Sequence, residues 1–203
     1  MKIINLILIS LITINSYSQQ SLNTDSVEIY FLKYLNEYRK TLYGDSVVEV
    51  KINYNASLAC KHHNDYLFDM LWVDKTPNLD NLLLSHRETS DTISNGMKYK
   101  YVGNDTIIPN FKDRITFYNT NKDFVPKGEV ITGGYYPSDK FNTDEMLAKK
   151  FFINFMNSPS HKKILSMSNY NFLALDCKVE FNRNCLKTSI VVVTGTSTID
   201  IKK

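Results

Sequence analysis

Four histidines carry most of the chemistry that this 203-residue chain can offer, at His62, His63, His86 and His161. An imidazole can exchange a proton near neutral pH or hold a divalent metal through a ring lone pair. His62 and His63 are neighbours within a helical pattern, where successive side chains point about 100° apart, so the two are not expected to face one site. Ser85 precedes His86 and Ser160 precedes His161. Sequence neighbours rarely make a nucleophile and its base, however, and no Gly-x-Ser-x-Gly elbow is present. Cys60 lacks the local signatures of a catalytic thiol and is expected to be a buried small hydrophobe. The Lys149-Lys150 and Lys162-Lys163 pairs read as solvated faces that would draw in an anionic ligand if they flank a site.

The elements that must position these groups follow from periodicity. Val27, Tyr30, Phe31, Tyr34, Leu35 and Tyr38 recur at helical spacing after Thr24-Asp25-Ser26, which predicts an amphipathic helix over 24–42. A second helix is predicted from near Asn55 to Trp72, carrying Leu58, Ala59, His62, His63, Tyr66, Leu67 and Met70 and ending before Pro77. Residues 88–112 are polar and aperiodic and are expected to form a long loop or insertion. Arg114 to Tyr118 and Gly128 to Thr132 read as short strands. A third helix starts at Asn142-Thr143-Asp144-Glu145 and stops at Pro159, with one more turn from His161 to Leu165. Phe172 to Glu180 and Lys187 to Thr196 read as two closing strands.

Composition bounds the class. A single positive charge and a run from Leu6 to Ile14, followed by Ser16 and Ser18, have the layout of a cleavable signal peptide over residues 1–18. The run falls short of the roughly 20 apolar residues of a membrane span, so release to the periplasm or medium is expected, with no stable membrane anchor. The remainder is the size of one domain. With 24 Lys and Arg scattered against 21 Asp and Glu, nucleic acid is not an expected partner. In an oxidising compartment Cys177 and Cys185, flanking a turn-like segment, are the natural disulfide, leaving Cys60 as the odd cysteine.

Ser158-Pro159-Ser160-His161-Lys162-Lys163-Ile164-Leu165 resembles the Ser-Pro-Gly-His and following Ile-Leu of bacterial CAP domains, the superfamily of cysteine-rich secretory, antigen 5 and pathogenesis-related proteins. Leu84-Ser85-His86 is similar to that family's Phe-Ser-His, and Gly128-Glu129-Val130-Ile131 to its Gly-Glu-Asn-Ile. Asn36 to Arg39 resembles an Asn-x-x-Arg of the first family helix, and Arg114-Ile115 sits where members carry Arg-Ile. The likeness runs over roughly residues 24 to 196, within a domain set at 24–200, and members often carry a histidine at the place of His63. Val130, Phe155 and Ser160 depart from the usual asparagine, tryptophan and glycine, and Ser158 stands where eukaryotic relatives have a second glutamate.

The intermixed helices and strands indicate an α+β or layered α/β/α class, and the resemblance implies a three-layer α/β/α sandwich with a central antiparallel sheet. It also implies a cleft where His86, Glu129 and His161 converge, the histidines within about 10 Å of each other. Those three could ligate a divalent metal such as zinc, supply an acid or base, or form a polar network that orients the cleft. The leading reading is a secreted monomeric binding or interaction module whose extracellular ligand is a lipid, a wall fragment or a protein. The alternative is a metal-dependent, peptidase-like hydrolase, which the missing second glutamate disfavours. A sterol-type groove would need the Phe, Tyr and Ile side chains between 99 and 118 to face outward.

Overall fold

The computed structural model describes residues 21–72, 83–94, 97–182 and 185–197. The signal-peptide expectation falls outside them. In chain order the elements are α1 (Thr24–Tyr43), β1 (Lys51–Ile52), α2 (Tyr54–Phe68), β2 (Met70–Trp72), β3 (Asp91–Ser94), β4 (Met97–Tyr101), α3 (Phe111–Tyr118), β5 (Phe124–Pro137), α4 (Asp144–Asn157), α5 (Pro159–Leu165), β6 (Phe172–Asn182) and β7 (Cys185–Ser197). This is a mixed α+β chain. Its main sheet has the order β1-β6-β7-β5, antiparallel throughout except that the short β1 runs parallel to β6. A smaller antiparallel sheet, β2-β4-β3, stands apart from it.

The long strands bury both faces. Side chains alternate along β7, so Ile190 and Val192 enter one core while Val191 and Val193 enter the other. A strand covered on both sides reads as an unbroken apolar run, as this one does. The first core is closed by Val27, Phe31 and Leu35 of α1 against Leu147, Phe151 and Phe155 of α4, each set spaced four residues apart on one helical stripe. Arg39 extends the α1 stripe, donating to the Met167 and Tyr170 carbonyls at 2.5 and 3.2 Å with its guanidinium over the Tyr170 ring. The second core gathers Ala59, Cys60, Tyr66 and Leu67 of α2 with Ile115 of α3.

Several sequence expectations are corrected. Arg114 to Tyr118 is helical, not extended, because the Asn110 side chain caps the Asp113 amide and turns Ile115 into the core. α2 stops at Phe68, and Met70 to Trp72 leave it to pair with β4. The segment read as a loop carries β3 and β4, whose polar residues hide the strand period. Pro159 does not merely stop α4; it occupies the first turn of α5, where its missing amide costs nothing. Cys177 and Cys185 are free. Cys177 lies opposite Ile190 and Cys185 opposite Asn182, five ladder steps apart. At about 3.4 Å per step the two are held roughly 17 Å apart, beyond the about 7 Å that a disulfide spans.

Candidate functional site

His86 follows Ser85 in the segment leading towards β3, Glu129 lies on β5, and His161 sits on α5. Gly128 lets α5 pack closely on β5: a Cβ there would fall 2.9 Å from Cγ2 of Ile164 and force that side chain to shift. The structure brings the three residues together. His86 Nδ1 is 2.9 Å from Oε2 of Glu129, and the His86 and His161 rings are 6.3 Å apart between centroids in an edge-on arrangement. Phe155, buried at the end of α4, packs edge-on against His161 at 5.5 Å and fixes its outer wall. The His86 side chain is 51% exposed against 2% for Glu129, so the carboxylate stands behind the imidazole.

Behind the pair lies a buried polar network. Arg114 of α3 donates to Glu129 Oε1 at 2.6 Å and to the Ile108 carbonyl, and approaches Glu88 Oε1 at 3.4 Å. Glu88 in turn accepts from the Ile108 amide at 2.7 Å and meets His62 Nε2 at 3.2 Å and His63 Nδ1 at 2.9 Å. His62 and His63 therefore do converge on one group, against the expectation from helical angles. Glu88 lies between their directions, and each ring has the reach to close on a different oxygen. His63 Nε2 meets the Ser85 carbonyl at 2.7 Å, and Tyr118 hydroxyl meets His62 Nδ1 at 2.9 Å.

Burial alone would raise both carboxyls. At Glu88, hydrogen bonds from His62, His63 and Ile108 with the charge of Arg114 reverse this and hold it at about 2. At Glu129, the His86 hydrogen bond, the His63 charge and Arg114 likewise win and keep the carboxyl below its ordinary range. His161 is pushed down, by burial first and then by His86, and so stays neutral with a lone pair to offer.

Both Glu129 oxygens are engaged, by His86 and by Arg114, which leaves two imidazoles as the outward donors. Among the described residues no set of three His, Cys, Asp or Glu is arranged to hold a metal ion, so the three residues do not fit zinc as a three-ligand set. Of the Phe, Tyr and Ile side chains between 99 and 118, Tyr99, Ile108 and Ile115 are buried and Phe117 is exposed. A cavity of about 570 Å³ lies elsewhere, lined by Ile29, Leu32, Asn36 and Val47 among others, and includes none of the three site residues. Cys60 is buried, and burial raises its thiol well above the ordinary range, which makes it inert.

Sequence reasoning missed Glu88 and the bridging part of Arg114. The signal was present: a glutamate two residues after His86, with a histidine pair one helix upstream.

No protein-family model matches this sequence, and no curated protein is similar to it. Among solved structures, the chain is similar to an outer surface protein from Borrelia burgdorferi, with a TM-score of 0.51 at 16% identity over 86% of this chain and 94% of that one. At that identity the likeness is one of fold alone.

Proposed function

We propose that this chain is a secreted binding module of the CAP type, a three-layer α/β/α domain whose His86–His161 pair receives an anionic extracellular ligand. The observation that carries this reading is the engagement of Glu129 by both His86 and Arg114, which makes the carboxylate a support rather than a free base. A hydrolase would need a water-activating group at this place, and Ser158 stands where a second glutamate would serve. The outward ring lone pairs accept hydrogen bonds from hydroxyl groups carried by such a ligand. The exposed Arg87, Lys162 and Lys163, next in sequence to His86 and His161, supply the positive field.

The test is a titration of isotope-labelled protein with phosphatidylglycerol vesicles, phosphatidylcholine vesicles and soluble anionic wall fragments, read at the His86 and His161 ring signals. Perturbation by anionic additions alone, lost in the His86→Ala/His161→Ala double variant, supports the reading. Equal response to zwitterionic vesicles, or none to any addition, overturns it. Hydrolysis of peptides or esters that depends on Glu129 would replace it with the enzymatic alternative.

A further inference from the structure

The buried network has a proton inventory that its geometry decides. His63 is fully buried, and its two ring nitrogens face Glu88 Oε1 at 2.9 Å and the Ser85 carbonyl at 2.7 Å. A carboxylate and a carbonyl oxygen can only accept. Both contacts are satisfied only if both ring nitrogens donate. His62 differs, because its partners are Glu88 Oε2 and the hydroxyl of Tyr118, which can donate into Nδ1. One proton, on Nε2, therefore suffices for His62.

We propose that His63 is a buried imidazolium which, with Arg114, balances the ionised Glu88 and Glu129, and that this balance holds His86 as the Nδ1–H tautomer with a bare Nε2 for the ligand. The count closes without any external ion: His63 and Arg114 are positive, Glu88 and Glu129 negative. With His63 neutral, the interior would carry an uncompensated negative charge, which proteins avoid by shedding or gaining a proton. The Tyr66 ring stacks on His63 at 5.7 Å and 7°, a face that favours a cation. His63 and Arg114 are thus positioning residues that act on His86 through Glu129. The use made of the bare nitrogen rests on the binding reading above; the protonation pattern does not.

The experiment is a long-range ¹⁵N–¹H correlation spectrum of the histidine rings in the full mature chain near neutral pH. The expected pattern is two protonated nitrogens on His63, Nε2–H alone on His62 and Nδ1–H alone on His86. A bare nitrogen on His63 in the folded wild type overturns the proposal, whatever the ligand turns out to be. Glu88→Gln removes one negative charge, so His63 should lose a proton and show one bare nitrogen while His86 keeps its pattern. Retention of both protons on His63 in that variant also overturns it. Arg114→Lys should keep the single His86 tautomer and Arg114→Met should lose it; a single unchanged tautomer in a folded Arg114→Met protein counts against the relay. Should the ring patterns hold while no anionic addition perturbs His86, the proposal stands and the ligand reading fails.

Discussion

Glu28, half-buried on α1, and Glu88, fully buried between α2 and α3, sit at opposite ends of the carboxylate range. Burial pushes Glu28 up to about 8; its one backbone donor, the Cys177 amide, is outweighed by burial and by the charges of Asp176 and Asp25. Burial acts on Glu88 in the same direction, but His62, His63, the Ile108 amide and Arg114 bring it to about 2. Depth alone would raise the more buried Glu88 further, so what separates them is the number of donors and cations aimed at each. The core around α1 and α4 is aromatic and aliphatic, and its Glu28 is a tolerated misfit. The region behind His86 is a polar structure in which every charge has an assigned partner, the form expected of a part that must hold a site in one geometry.

The sharpest way to break the comparison is Arg114→Met, which strands Glu88 and Glu129 without their shared cation. Losing one partner of a buried ion pair costs about 3–5 kcal/mol, and urea unfolding near neutral pH should show it. Phe151→Ala, in the opposite core, should cost a similar amount of about 3–5 kcal/mol but with little dependence on pH, because a phenyl ring neither titrates nor holds a hydrogen bond.

Acid should separate the two regions next. The folded carboxyl of Glu88 lies below its ordinary 4.5, so its stabilisation is present above that value and is lost as the pH falls towards about 2. The loss amounts to about 3 kcal/mol, measurable by denaturant unfolding at stepped pH and absent in Glu88→Gln. Glu28 runs the other way. Its folded carboxyl lies above the ordinary value, so folding favours the protonated form and stability declines as the pH rises from about 4.5 to about 8. Glu28→Gln should flatten that decline and leave the acid limb unchanged.

Gly128→Ala tests how β5 and α5 are brought together. The added methyl meets Ile164, and overpacking of this kind costs about 1–3 kcal/mol; cross-relaxation between the His86 and His161 rings should weaken as α5 moves away. The smallest effect is expected from a reductant. With Cys177 and Cys185 far apart on the ladder and all three cysteines free, dithiothreitol should leave the unfolding midpoint unchanged, and a thiol count on the denatured chain should find all three.

Much of this was legible because it is local. The stripe of Val27, Phe31 and Leu35, the Thr143 cap of α4 and the apolar runs of β6 and β7 are consequences of side-chain period and capping chemistry, which neighbours in sequence decide. Residue type pointed equally to all four histidines, and it was the family resemblance that set His86 and His161 apart. β3 and β4 were not legible, since Asp91, Lys98 and Lys100 face solvent and only Tyr99 marks the buried side. Arg114 to Tyr118 looked extended because β-branched and aromatic residues dominate it, and a single Asn110 cap with an apolar surface to cover was enough to make it helical.

The sequence by itself determined the α+β class, most of the helices, the long strands and the residue types that can bind or exchange a proton. The tertiary structure alone decided which of those residues share a charge balance. Glu88, His63, Arg114 and Glu129 come from separate segments, and the protonation state of each depends on the donors that the others aim at it. Those donors are set by packing between α2, α3 and β5, through distances of a few ångströms that no spacing along the chain encodes.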